Sequence, residues 1–378
     1  MLSFENHESF RSYIEDFVQK EIAPLAPAIE SEETYPQKAH KAFAREKLFC
    51  LAMPKSHGGG GADTRSLALL VESIARVSPS AALLVFPTNA VMRTIDLTGT
   101  QEQKDRFFTE LSQGDMAMAF CLTEPEHGSD AFDMVTTARK ENGHYLVNGV
   151  KSYTTLGSNA RYYLTFVRTG PRPKAGGISA LLIPKDAPGL EFGPPEKKMG
   201  LHGSMTSQMY MSDAKVPIEN RLWDEGEGWK VLTRVANPMR VWGAASLALG
   251  TAQGLFDTSL AHAAHKKKKS QATGFTLADM AMKIESCRAF IYKVCEMVDK
   301  ENYSPKKIET YTSMAKCLAA DTAMEVSELA GRVLGTGMMQ ADSQAARFFC
   351  VAKGIQIFDG SNQIQRLIIA RNLQKSGL

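Results

Sequence analysis

The hydrophobic period of this 378-residue chain changes twice, and that switch constrains its fold more than any single residue does. Up to about residue 117 apolar residues recur at helical spacing: Phe10, Tyr13, Ile14, Phe17 and Val18 form one stripe, and a long apolar segment runs from Leu67 to Val85. From about residue 118 the texture becomes short alternating runs, HYLVNGVKSYTT, RYYLTFVRT and ISALLIPKD, punctuated by Asn-Gly, Pro-Arg-Pro and Gly-Gly. That is the period of strands joined by turns. After Pro217 and the turn-rich NRLWDEGEGW, helical spacing returns almost to the end, with helices expected near 228–268, 273–300, 305–336 and 341–356. The expected fold is α+β and multidomain: an N-terminal α-helical domain over 1–117, a middle β-sheet domain over 118–227 and C-terminal helices over 228–378. Division is natural at this length, because a single core rarely grows beyond roughly 250 to 300 residues. The sequence has no internal repeat and no linker long enough to imply independent modules.

Charge narrows the function. Charged residues make up 22% of the chain and the net charge is +3, so there is no distributed basic surface for a nucleic acid. The one dense run, Lys266 to Lys269, is short and isolated. The cysteines at 50, 121, 287, 295, 317 and 350 form no CxxC pair, which points to reduced thiols and gives no metal-ligand spacing. The N-terminal stretch carries acids throughout and reads as an amphipathic helix, unlike a signal peptide. No stretch approaches the roughly 18 apolar residues of a membrane span, so the expected location is cytoplasmic.

Four segments can carry chemistry, each with a plainer explanation. PKSHGGGGAD (Pro54 to Asp63) has four consecutive glycines but lacks the Lys-Ser/Thr that would follow in a phosphate loop. FCLTEPEHGSD (Phe120 to Asp130) offers hydroxyl and main-chain donors at Thr123, Gly128 and Ser129; a turn between strands explains the same residues, and composition alone favours it. NGVKSYTT (Asn148 to Thr155) reads as an Asn-Gly turn feeding a strand whose Tyr153 and threonines can flank a planar heterocycle, and equally as good strand chemistry. IFDGSNQIQRLIIAR (Ile357 to Arg371) sets an acid before a Gly-Ser turn and a helix, where Asp359 and Ser361 can be capping residues.

Taken in order, FCLTEPEHGSD, YLVNGVKSYTT, KKMGLHGSMTSQMYMSDAKVPIENRL, LADMAMKIESCR and IFDGSNQIQRLIIAR resemble the acyl-CoA dehydrogenases over essentially the whole chain. The resemblance implies that family's fold, with the C-terminal helices as a four-helix bundle, and FAD between the bundle and the β domain. It implies that Phe120, Leu122, Thr123, Ser129, Tyr153, Thr154 and Thr155 line the flavin and its ribityl-phosphate arm, with Ser361 and Gln363 contacting it from the last helix. Gln271, Arg332 and Gly335 would reach FAD held mainly by a second subunit, so an obligate oligomer, a homotetramer, is expected. Ser129, Asn237, Arg240, Gly360 and Arg371 fall at acyl-CoA contacts, with an ordinary helical surface arginine as the alternative reading of Arg240 taken alone. A guanidinium suits that ligand because it presents fixed donors to an anionic, carbonyl-rich molecule. Asp359 stands where most relatives have a glutamate that removes the α-proton; the β-hydrogen then leaves as hydride to flavin N5, and electron-transferring flavoprotein is the usual oxidant.

This chain also departs from the family. Aspartate reaches about 1.5 Å less far than glutamate, and a misplacement of about 1 Å can cost ~10²-fold. Some relatives with aspartate here act on alicyclic thioesters such as cyclohexanecarboxyl-CoA, which makes a cyclic or α-branched acyl group the leading expectation. Met239 stands where other relatives carry the base on a different helix and cannot take a proton. The segment AAHKKKKSQATGFTLADM is short and lacks the family's Arg-x-x-Phe-Gly element, so its lysines either substitute electrostatically near FAD or form a solvated loop. LGTGMM and FCVAK replace the family's paired glycines and its Arg-Asp with Gly335-Thr336 and Cys350-Val351. Other readings are a nitroalkane-oxidase-like flavoprotein, a straight-chain acyl-CoA dehydrogenase and a non-catalytic acyl-CoA-binding relative.

Overall fold

A computed structural model describes residues 6–113, 115–171, 177–266, 270–300 and 302–376. Helices come first: α1 (His7–Phe17), α2 (Ala26–Ser31), α3 (Gln37–Arg45), α4 (Thr64–Ala75), α5 (Pro79–Thr98) and α6 (Gln101–Leu111). Side-chain caps set several starts, with Asn6, Asp63, Ser78 and Thr100 accepting from the amides of Ser9, Ser66, Ala81 and Gln103. Each cap satisfies a donor that the first helical turn leaves without a partner. Helices α4 and α5 are buried along most of their length, which accounts for the long apolar segment. The glycine run before α4 is folded onto the chain itself: a Cβ on Gly59 would stand 2.2 Å from the Met53 carbonyl oxygen. Gly59 and Gly60 thus serve backbone packing against Leu51 and Met53.

The strands follow: β1 (Met118–Cys121), β2 (Thr137–Glu141), β3 (His144–Thr155), β4 (Tyr162–Arg168), β5 (Ile178–Pro184), β6 (Leu190–Phe192), β7 (Thr206–Pro217) and β8 (Arg221–Leu222). Among the described residues they form one sheet in the order β6-β7-β3-β2-β4-β5-β8, with β1 parallel to β4. Asn142 (φ 46°) and Gly143 (φ 78°) make the two-residue turn between β2 and β3, whose backbone twist suits a hairpin. The turn expected at Asn148-Gly149 is not there. Those residues lie inside β3 at a register shift against β7, and Gly149 (φ 145°) lets Thr136 pack where a Cβ would lie 2.6 Å from its hydroxyl.

The chain then returns to helices: α7 (Gly228–Met239), α8 (Ser246–His265), α9 (Gln271–Asp299), α10 (Pro305–Leu334), α11 (Gln344–Ile355) and α12 (Asn362–Ser376). The single helix expected over 228–268 is interrupted, because Pro238 lacks a backbone donor and Arg240–Ala245 form a π turn. Helix α10 packs against α8, α9, α11 and α12. Its buried Ala315, Ala319, Ala320 and Ala323 allow close approach. Glu72 on α4 links the helical layers by accepting from Arg288 Nε at 2.9 Å and from the Tyr292 hydroxyl at 2.6 Å, both on α9.

Candidate active site

The chain leaves α11 and reverses through residues 356–361 into α12. Asp359 (φ 53°) and Gly360 (φ 80°) are consecutive left-handed residues at the centre of that turn. A non-glycine residue there costs roughly 1–2 kcal/mol, and such strain concentrates at functional sites. The turn is closed by the Asn362 amide donating to the Gln356 carbonyl at 2.9 Å. Gln365 Nε2 donates to the Gly360 carbonyl at 3.0 Å and to that of Asp359 at 3.4 Å. Ser361 Oγ accepts from the Ile364 amide at 3.4 Å, so its capping role is real. Asp359 is half-buried as a residue, yet its Oδ2 is sealed and has no hydrogen-bond partner among the described residues. Burial pushes its carboxyl above the usual range; Lys316 and then Arg240 pull it back.

Two cations face that carboxylate without pairing with it directly. Arg240 opens the π turn after Pro238, and its Nη1 donates to Asn237 Oδ1 at 2.7 Å. Burial lowers the affinity of this guanidinium for its proton, against the attraction of Glu309 and Asp359. Lys316, fully enclosed on α10, donates from Nζ to Asn362 Oδ1 at 3.0 Å. Burial lowers its ammonium to about 8, with Asp359 the foremost opposing influence.

The sheet supplies a second surface. Leu122 and Thr123 leave β1 half-buried, held down by the Ser152 amide donating to the Thr123 carbonyl at 2.8 Å. Lys151 Nζ donates to the Leu122 carbonyl at 3.0 Å and to Glu124 Oε1 at 2.8 Å, both side chains being buried. Beside this segment Tyr153 is 64% exposed, Thr155 is half-buried and Ser129 lies on an exposed loop. Thr154 alternates to the interior, with its hydroxyl buried beside the Cys121 thiol. Phe120 packs its ring 5.3 Å from that of Phe166. An exposed aromatic, half-buried hydroxyls and Gly128, around whose Cβ direction nothing lies within 4 Å, fit a planar group with polar edges such as a flavin. The loop after Glu124 reaches α7 through the Phe132 and Trp229 rings, 5.2 Å apart, which brings the shelf to the helix bearing Asn237.

The structure therefore brings Asp359, Gly360, Asn237 and Arg240 into one cluster. Gln271, Arg332, Gln363 and Arg371 are exposed on α9, α10 and α12, Gly335 is exposed just after α10, and none shares a hydrogen bond with that cluster among the described residues. Lys267 to Lys269 of the lysine run lie outside the described residues. Sequence reasoning overlooked Lys316, Asp321, Gln356 and Asn362 around the Asp359 turn, and Glu124 with Lys151 under the shelf. A signal existed for Lys316: it occupies the apolar stripe of α10, in helical phase with Thr312, Ala319, Ala320 and Ala323.

Family models described as the N-terminal, middle and C-terminal domains of acyl-CoA dehydrogenase match residues 4–115, 119–214 and 226–374. An acyl-CoA dehydrogenase of Bacillus subtilis (strain 168) is 35% identical over 370 residues, covering 96% of each chain. The cyclohex-1-ene-1-carbonyl-CoA dehydrogenase of Geobacter metallireducens is 34% identical, covering 95% of this chain and 96% of its own. A chain of the structure described as "Electron transferring flavoprotein of Acidaminococcus fermentans: Towards a mechanism of flavin-based electron bifurcation" superposes with a TM-score of 0.92 at 31% identity, covering 100% of both chains. With its three-part fold, its flavin-compatible shelf and a buried acid facing that shelf's helix, this chain belongs to the acyl-CoA dehydrogenase family of FAD-dependent enzymes.

Proposed function

We propose that the enzyme converts a cyclic or α-branched acyl-CoA to its enoyl-CoA, with Asp359 as the proton-abstracting base. The observation that carries this reading is the Asp359 carboxylate, whose buried Oδ2 has no hydrogen-bond partner among the described residues, while the Arg240 and Lys316 cations beside it give their hydrogen bonds to Asn237 and Asn362. A buried carboxylate kept free of donors and above its usual pKa is a stronger base than a solvated one. The Gly360 amide, in its left-handed turn, donates to the thioester carbonyl and stabilises the developing enolate. Asp359 takes the α-proton as the carbon–carbon double bond forms. Arg240, held by Asn237, orients the thioester. FAD, when bound, supplies the acceptor for the β-hydrogen and its electron pair. Its binding set on this reading is Phe120, Leu122, Thr123, Ser129, Tyr153, Thr154, Thr155, Ser361 and Gln363, with Gln271, Arg332 and Gly335 serving a second subunit. Ser129 and Arg371 complete the acyl-CoA contacts.

The shorter reach of aspartate and the named substrate of the Geobacter relative support an alicyclic acyl group. Electron-transferring flavoprotein is the proposed oxidant, supported by the description of the Acidaminococcus neighbour. Phe275 (63% exposed) and Met282 (61% exposed), two turns apart on α9, support self-association into a tetramer. Six free cysteines suit a reducing cytoplasm, and no helix among the described residues is long and apolar enough to cross a membrane.

Anaerobic bleaching of the bound flavin by cyclohexanecarboxyl-CoA, isobutyryl-CoA and butyryl-CoA, side by side, tests this reading. Fastest bleaching by the cyclic or branched thioester is expected. Clearly faster bleaching by the straight chain overturns the substrate assignment. No bleaching by any thioester, or rapid reoxidation in air with peroxide, overturns the dehydrogenase reading.

A further inference from the structure

One carboxylate grips the Asp359 turn at both ends. Asp321 on α10 accepts at Oδ1 from Gln356 Nε2 at 2.8 Å, before the base, and from Asn362 Nδ2 at 2.7 Å, after it. Its Oδ2 accepts from Arg366 Nη2 at 2.6 Å, further along α12. The Asn362 amide oxygen in turn accepts from Lys316 Nζ at 3.0 Å, and Asn362 and Lys316 are 2% and 0% exposed. Asn362 is thus clamped between an acid and a base of the same helix. Packing of α10 on α12 needs neither charge: well-packed apolar side chains do that work at least as well as buried ions. A fully enclosed lysine whose one hydrogen bond goes to a neutral amide is costly unless its charge serves something else. The titratable and charged groups around Lys316 are Asp359 across the turn, the Cys317 thiol and Asp321 on its own helix, and Arg240 at the end of α7.

We infer that Asp321 and Lys316 are positioning residues for proton abstraction: Asp321 fixes the turn that aims the Asp359 carboxylate, while Lys316 locks Asn362 and holds a positive charge toward the base. The inference rests on Asp359 being the base and adds how it is held. It gives each residue a different signature. Loosening the turn misplaces the carboxylate, and a shift of about 1 Å costs on the order of 10²-fold in the chemical step. Removing the lysine charge leaves the Asp321 bonds to the turn in place but makes Asp359 harder to ionise, so the acid limb of the rate profile moves to higher pH.

The experiment measures anaerobic flavin reduction in the FAD-loaded oligomer, using whichever of the three thioesters bleaches the parent fastest. It compares Asp321→Ala, Asp321→Asn, Gln356→Leu, Lys316→Met and Asp359→Ala, and records FAD content and melting temperature for each. Asp321→Ala is expected to lower the limiting rate about 10²-fold with the dissociation constant for the thioester unchanged. Asp321→Asn keeps the Oδ1 acceptor and is expected to restore most of that rate, because the half-exposed Arg366 can turn to solvent. Lys316→Met is expected to move the acid limb upward at an unchanged plateau. If Asp321→Ala does not fold, Gln356→Leu cuts a single bond to the same acceptor and is expected to slow reduction with FAD content intact. A parent-like rate in the folded Asp321→Ala protein, or in Gln356→Leu where Asp321→Ala fails to fold, overturns the role of Asp321 while slow Asp359→Ala leaves the base in place. An unmoved acid limb in Lys316→Met overturns the role of Lys316. A parent-like rate in Asp359→Ala removes the base itself, and the clamp with it.

Discussion

Two buried acid–lysine neighbourhoods in this molecule are made of the same groups and end in opposite states. Under the sheet shelf, Glu124 meets Lys151 at 2.8 Å and also accepts from the Val135 amide at 2.6 Å and the Thr136 amide at 3.0 Å. Burial alone would raise the Glu124 carboxyl, but Lys151 and these donors outweigh it and hold it below its ordinary value, while burial lowers the Lys151 ammonium. Both partners are committed to each other. In the helical bundle, Lys316 gives its hydrogen bond to Asn362 and Asp359 receives none at Oδ2, so burial wins and its carboxyl is raised. What separates a brace from a base is therefore where the donors point, since both places set a carboxylate beside an enclosed ammonium.

Removing the acid has opposite expected consequences at the two places. Asp359→Ala should slow flavin reduction by about 10²- to 10⁴-fold, the usual contribution of a positioned base. FAD should remain bound, and the melting temperature should not fall, because an unpartnered buried carboxylate is itself destabilising. Reduction at the parent rate would break the comparison from the catalytic side.

Glu124→Gln should do the reverse, leaving Lys151 buried and uncompensated at a cost of about 3–5 kcal/mol, which chemical denaturation can read. Lys151→Met should be milder, since Glu124 keeps its two backbone donors. A Glu124→Gln protein as stable as the parent would show that the pair is no brace.

The two acids also predict opposite slopes of stability against pH, smaller in size. Glu124 titrates lower in the folded chain than its ordinary 4.5, so its contribution is present above that value and is lost as pH falls through the folded pKa. Asp359 titrates higher than its ordinary 3.8, so the folded state favours its protonated form; that contribution is present below 3.8 and is lost as pH rises through the folded pKa. Melting curves over the acid range should therefore show Asp359→Asn gaining on the parent as pH rises and Glu124→Gln losing its acid limb. Parallel curves for the parent and Asp359→Asn would mean that Asp359 is not raised.

The contrast also explains what could be read in the sequence. The α, β, α order and the Asp359 turn were legible because period and turn chemistry are local properties: Asp359 precedes a glycine and a capping serine. The clamp was illegible because its members come from three places, 316 and 321 on α10, 356 after α11 and 362 on α12, and only the packing of helices makes them neighbours. Asn148-Gly149 misled for a related reason: the same dipeptide makes the β2–β3 turn at Asn142-Gly143, but β7 pairs across Asn148 and turns it into a bulge.

The finest test separates backbone strain from placement of the base. Gly143 and Gly360 have nearly the same left-handed φ, 78° and 80°, so alanine at either should cost about 1–2 kcal/mol through the backbone alone. Their surroundings differ. Nothing lies within 4 Å of a Cβ at Gly143, whereas one at Gly360 would stand 2.5 Å from Gln365 Nε2, the donor that closes the turn beside Asp359. Gly143→Ala should therefore lower the melting temperature and leave the rate of flavin reduction alone. Gly360→Ala should lower both, since Gln365 must move and the turn loosens with it. Equal rates in the two variants, at similar stability losses, would mean that the base tolerates a loosened turn and that its reach, more than its aim, limits the chemistry.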